Sequence, residues 1–135
     1  GRLMIYFLDT NVIIDLFNGK SKVLAAFKNA CFYGTVRIAD LVYYEVLRGF
    51  EYSDARKQKV EFEAFAGRCG IEYMDKNTFM EAARQYAGLK RKGLMIEDDY
   101  ILIGSFSIER NAVLVTNNVK HFSRLNGIKI ENWAE

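Results

Sequence analysis

The chain contains no proline, one histidine, one tryptophan and only two cysteines in its 135 residues. Without proline, glycine together with Asn, Asp and Ser must end the helices and strands. The cysteines, Cys31 and Cys69, form no Cys-x-x-Cys pair, and the lone His121 cannot complete a zinc site with them by spacing. Two buried thiols in a reducing compartment are expected instead. No apolar stretch reaches the roughly 18 residues that a membrane helix needs. The apolar start is too short for a secretory leader and runs straight into Asp9. A cytoplasmic protein without a membrane partner is therefore expected, with Met4 as its natural start. Repeats, linkers and low-complexity stretches are also missing.

What is present is a core. Half of the residues are hydrophobic and 27% are charged, with a net charge of +2. That composition predicts one globular domain over residues 1–135. Apolar runs at 3–8 and 112–116 read as buried parallel strands. Shorter strands are expected at 36–38, 71–73 and 128–130. Between them, helices are expected over 12–17, from Ser21 to residue 30, from Asp40 over 41–50, and from Ser53 or Asp54 to residue 68. Two more follow, from Asn77 or Thr78 to Lys92, closed by Gly93, and over 97–110. Strands alternating with helices predict an α/β fold, a three-layer α/β/α sandwich with a central parallel sheet of about five strands.

Asp9 follows the first strand, where open α/β sheets place their active sites. It could cap the next helix, or leave capping to Thr10 and Asn11 and remain free for a metal ion. Glu45 lies among Val42, Tyr43, Val46 and Leu47, so it is either exposed or buried for a reason. Asp98 and Asp99 fall in a first helical turn, where the helix dipole alone would favour carboxylates. Thr116-Asn117-Asn118 ends the second strong strand, a place where Asn is common in turns. Together these residues form a set of oxygen donors suited to a hard divalent cation, which takes one or two carboxylates plus waters. Such a cation assists hydrolysis of a phosphodiester.

Leu8-Asp9-Thr10-Asn11, Glu45-x-x-x-Gly49, Ile103-Gly104, Leu114-Val115-Thr116-Asn117-Asn118-x-x-His121-Phe122 and Gly127-Ile128-x-Ile130-Glu131-Asn132-Trp133 recur in one order. By these motifs the chain resembles a PIN-domain ribonuclease of the VapC toxin type, from Met4 to Trp133. The resemblance implies the PIN fold, cleavage of structured RNA such as tRNA or rRNA with Mg²⁺ (or Mn²⁺), and neutralisation by a VapB-like antitoxin. It also implies a homodimer. Carried over by position, Asp9 is the central metal ligand, Glu45 a second acid, and Thr116 and Asn118 support the metal shell. The third acid departs from the family pattern, because Tyr100 stands where an aspartate is usual. Asp98 or Asp99 could take its place, but adjacent helical positions point about 100° apart. The other reading is a catalytically impaired module that still binds RNA or antitoxin. His121 stands where relatives often have a fourth acid; it could act as an acid, contact a phosphate or cap a turn, and the turn cap is the favoured reading.

Arg48, Lys90, Arg91, Lys92 and Lys120 are the candidate RNA contacts. Such contacts hold phosphates and read no sequence. Charge runs of this kind are also ordinary solvated surface. The aromatic segments around Phe17, Phe27, Phe32-Tyr33 and Tyr43-Tyr44 are expected in the core or in a groove for a partner helix. A receiver or aspartyl-phosphate phosphatase fold is disfavoured. Asn11 stands where the phosphatases need a second aspartate, and no lysine ends the late strand.

Overall fold

A computed structural model describes residues 3–135. In chain order the elements are β1 (Met4–Leu8), α1 (Thr10–Phe17), α2 (Ser21–Tyr33), β2 (Gly34–Ala39), α3 (Asp40–Tyr52) and α4 (Arg56–Cys69). There follow β3 (Ile71–Glu72), α5 (Lys76–Lys92), α6 (Asp98–Glu109), β4 (Val113–Val115), α7 (Val119–Phe122) and β5 (Ile130–Glu131). The strands form one sheet in the order β3-β2-β1-β4-β5. Every pair is parallel, with Phe7 opposite Arg37 on one side and Leu114 on the other.

This order has a physical consequence. The chain steps outward from β1 to β3, then returns past β1 to β4. Parallel crossovers are right-handed, so the outward and returning helices cover opposite faces. The α1–α4 helices pack on one another and on β2, whereas α6 packs on α5, α7 and β4. A sheet covered on both faces needs apolar residues at successive strand positions. Phe7, Leu8, Leu114 and Val115 are accordingly at most 1% exposed. Among the described residues no helix is long and apolar enough to cross a membrane.

The expected architecture is present, with shifted boundaries. β2 begins at Gly34, two residues before the expected 36–38, and glycine is needed there because a β-carbon would collide with the Met4 carbonyl of β1. Lys20 precedes α2 without a side-chain cap, so Ser21 is its first residue and not its cap. At α5 a reciprocal capping box is built by Asp75 and Thr78, which puts the cap before the expected Asn77. Gly93 closes that helix in the left-handed region, as expected. The last strand is Ile130–Glu131, displaced toward the C-terminus of the expected 128–130. The short helix α7 is not among the expected elements. The thiols also differ from expectation: Cys31 is exposed and Cys69 is half-buried, and both are free.

Most of the aromatic surplus is core. Phe17 packs edge-on against Phe50, Phe62 and Phe65, and Phe27 packs against Phe65 in a tilted arrangement. Tyr43 stacks on the buried Phe62. By contrast, Phe32, Tyr33 and Tyr44 are exposed. Gly104, in the middle of α6, explains one small-residue position of the sequence motif: a β-carbon there would strike Leu125 Cδ1, with Phe122 close behind. Gly104→Ala is expected to destabilise the chain by about 1–3 kcal/mol, the usual cost of overpacking a core. Urea denaturation measures this, and a change below about 0.5 kcal/mol would show that Leu125 simply moves aside.

A candidate acidic active site at the end of the sheet

The strand order reverses between β1 and β4, and the crevice beyond their carboxyl ends is where open α/β sheets bind ligands. Asp9 follows β1 there and Thr116 follows β4. Asp9 is only 5% exposed, yet its carboxylate is fully directed. Oδ2 accepts a hydrogen bond from Thr116 Oγ1 at 2.7 Å, and Oδ1 accepts from the Thr10 amide at 2.9 Å. Asp9 therefore sits at the N-cap of α1 and also faces the crevice, so the two sequence readings are compatible. Thr116 is itself held, because its Oγ1 accepts from the Asn118 amide at 3.0 Å.

Glu45 arrives from α3. Its Oε1 accepts from Thr10 Oγ1 at 2.8 Å, and its Oε2 lies 4.0 Å from Arg48 Nη2. The side chain is 10% exposed, so this glutamate is buried for a reason. Asp99, from the first turn of α6, is the third member: it lies within hydrogen-bonding reach of Glu45, and its charge acts on Asp9 as well. Burial, followed by the Asp99 and Asp9 charges against the opposing Thr10 bond, pushes the Glu45 carboxyl up to about 7. Burial also raises Asp9 above the usual carboxylate range, although the Thr116 and Thr10 bonds oppose the rise.

The structure separates the two neighbouring aspartates. Asp99 lies one and two helical turns before the buried Ile103 and Phe106, which places it on the inward face. Asp98 is exposed and its side chain makes no hydrogen bond or ion pair among the described residues, so it is not drawn into the cluster with Asp9 and Glu45. Tyr100 turns toward α7, where its ring stacks on His121 and meets Phe122 edge-on. His121 does hold a turn, with Nδ1 2.7 Å from Asn118 Oδ1. Asn11 is exposed and takes no part in these contacts.

One positioning residue escaped the sequence reading. Asp15 is 8% exposed, accepts from Asn117 Nδ2 at 3.0 Å and pairs with Lys20 at 3.1 Å. It ties α1 to the turn that carries Thr116 and Asn118. The signal was present: Asp15 lies one helical turn after Val12, in the same apolar helix.

The basic candidates divide. Arg48 adjoins Glu45 and also covers the Tyr44 ring at 5.1 Å. Lys90, Arg91 and Lys92 are exposed in the last turn of α5, where they also suit the helix dipole. Since α5 and α6 form a packed pair joined through residues 93–97, this triplet lies at the same end of the molecule as Asp99. Lys120 is exposed on α7. A larger cleft of about 660 Å³ around Phe50, Lys59 and Glu63 lies between α3 and α4 and holds none of the clustered acids.

The donor set suits a hard cation because it is all oxygen. Among the described residues no three His, Cys, Asp or Glu side chains are arranged to hold a metal ion by themselves. Mg²⁺ does not require such a cage, since one or two carboxylates and several waters suffice. Three crowded carboxylates, two of them with raised pKa, carry charge that a cation would relieve.

A family model described as PIN domain matches residues 6–128. The chain belongs to the PIN-domain family. Ribonuclease VapC2 of Rickettsia felis is 31% identical to this PIN domain, with 96% of this chain and 98% of that protein covered. A tRNA(fMet)-specific endonuclease VapC of Salmonella typhimurium is 29% identical, with 96% and 98% covered. Among solved structures, VapBC2 from Rickettsia felis bound to a promoter DNA fragment matches with a TM-score of 0.89 at 30% identity, covering 96% of this chain and 99% of that one. VapBC-1 from nontypeable Haemophilus influenzae matches with a TM-score of 0.85 at 27% identity, covering 98% and 100%.

Proposed function

We propose that this PIN domain is a divalent-metal-dependent endoribonuclease that cleaves structured RNA, tRNA or rRNA, and that a VapB-like antitoxin neutralises it. The observation that supports this best is the convergence of Asp9, Glu45 and Asp99 from three separate elements on one end of the sheet. The similarity to VapC ribonucleases, some of them solved as VapBC complexes, supports the substrate class and the partner. A homodimer and a cytoplasmic location belong to the same reading.

Asp9 and Asp99 are the proposed holders of Mg²⁺ or Mn²⁺, with Glu45 beside them. When bound, such an ion offsets charge on the phosphoryl oxygens and makes a nearby water more acidic. The protein's own part is positioning and proton handling. Thr116 and the Thr10 amide fix the plane of the Asp9 carboxylate. Thr10 occupies Glu45 Oε1, which leaves Oε2 to take the proton of the attacking water. In the metal-free chain burial and the neighbouring carboxylates already favour a proton on Glu45. Arg48, close to Oε2, and the triplet Lys90, Arg91 and Lys92 would hold phosphates on either side. They are expected to contribute affinity that falls with salt.

Cleavage of total tRNA and rRNA by the purified chain, with Mg²⁺ or with EDTA, tests the assignment. Asp99→Ala is expected to lower the cleavage rate by roughly 10²-fold, about 2.7 kcal/mol of barrier. Asp98→Ala should change it less than about threefold. Equal losses in the two variants would contradict the role given to Asp99. A silent native chain that becomes active as Tyr100→Asp would establish the impaired module instead.

A further inference from the structure

Tyr100 and His121 are left over from the acidic cluster, and both line a cleft beside it. The rings are nearly parallel, 7° apart with centroids separated by 5.3 Å, and Phe122 supports Tyr100 edge-on from the core. Asn118 fixes the histidine ring: its Oδ1 meets His121 Nδ1 at 2.7 Å. The cleft holds about 300 Å³ and is completed by Met95, Ile96 and Glu97. Two apolar side chains, two stacked rings and one carboxylate make a slot shaped for a flat heteroaromatic group.

The slot is coupled to the acids by a short chain of hydrogen bonds. The Asn118 amide donates to Thr116 Oγ1 at 3.0 Å, and Thr116 donates to Asp9 at 2.7 Å. Asp99 adjoins Tyr100 directly in sequence and lies on the cluster side. Arg124 donates to the carbonyls of Leu94 and Met95 at 3.4 and 3.2 Å, which ties down the segment that brings Met95 to the slot. Rings that merely finished the core would be enclosed, whereas Tyr100 and His121 are both only half-buried and border open space.

We propose that this cleft is a nucleobase subsite in which the base of a nucleotide beside the scissile phosphodiester stacks against the Tyr100–His121 pair. The proposal rests on the ribonuclease reading for its substrate class. Base stacking on aromatic side chains tolerates any base, because every base has a π-face. The Glu97 carboxylate at the slot adds an acceptor for an exocyclic amine, as in side-chain recognition of cytosine. In this account the tyrosine at the usual third-acid position gives up a charge, which Asp99 supplies, and gains a stacking surface.

His121 is the only histidine, so its imidazole proton signals report on the slot without assignment of the rest of the chain. The full chain in Mg²⁺ is titrated with CMP, AMP and ribose 5-phosphate at fixed pH. The nucleotides contain no phosphodiester and are not consumed by an endonuclease. A saturable upfield shift with CMP and AMP is expected, and at most a third of that shift with ribose 5-phosphate. Tyr100→Leu should weaken nucleotide binding at least tenfold, while Tyr100→Phe retains it. Equal shifts with ribose 5-phosphate, no shift with either nucleotide, or native affinity in Tyr100→Leu would overturn the proposal. Base-dependent shifts in a chain that leaves tRNA and rRNA intact would keep the subsite and remove the ribonuclease reading. RNA cleavage without base-dependent shifts would do the reverse.

Discussion

Asp9→Asn is expected to remove RNA cleavage, by roughly 10³-fold or more, about 4 kcal/mol of barrier. The size follows from where Asp9 stands. It is the most enclosed of the three acids and the one fixed from both sides, by Thr116 and by the Thr10 amide. The amide of asparagine keeps the shape and one acceptor oxygen. Thr116 Oγ1, which already accepts from the Asn118 amide, retains a lone pair for the new NH₂ group, and the loss of its own acceptor on Asp9 is offset by the removed carboxylate repulsion. The fold should therefore persist. Loss of a buried charge among like charges should leave the metal-free chain at least as stable as the native one. Cleavage assays on tRNA and rRNA, run beside thermal unfolding, separate chemistry from folding. Residual activity within tenfold of native would exclude Asp9 from the centre of the site. A lowered melting temperature would make the loss structural.

The central part of this fold was legible because its code is local. Leu3 to Leu8 and Ala112 to Thr116 are continuous apolar runs, and continuous runs specify strands covered on both faces. The edges were less legible. With two residues each, β3 and β5 hold too little sequence for a periodic signal, and pairing with a neighbour decides their register. Helix starts misled for a related reason. Asp40 has the residue type and place of a cap, but it begins α3 itself and uses its carboxylate on the amides of Leu41 and Met74, the second of which only the tertiary fold supplies.

The site shows the same division. Asp9, Glu45 and Thr116 were readable from their places at strand ends or in an apolar helix. The choice between Asp98 and Asp99 depended on helix phase, and Ile103 and Phe106 carry that phase in the sequence. Asp15 was passed over because its partners, Asn117 and Lys20, mean nothing until β1 and β4 lie side by side.

Mg²⁺ should raise the melting temperature of the chain, and more so at pH 8 than at pH 5.5. In the folded, metal-free chain Glu45 holds its proton up to about pH 7, against the ordinary 4.5. Between those values the folded state binds more protons than the unfolded state, so this group lowers stability as pH rises through the window. The penalty is absent below about pH 4.5 and complete above about pH 7. The raised pKa of Asp9 acts in the same sense. A cation held by the carboxylates displaces the proton and relieves the repulsion, so its effect grows as the protons leave. At a concentration near a hundred times its dissociation constant the ion stabilises by about 2.7 kcal/mol, or on the order of 5–10 °C in a domain of this size. Asp99→Asn should raise the metal-free melting temperature at pH 8 and blunt the response to Mg²⁺, because it removes one charge and one ligand together. A melting temperature indifferent to Mg²⁺ at pH 8, or a response of the same size at both pH values, would show that the three acids do not act as one cation site.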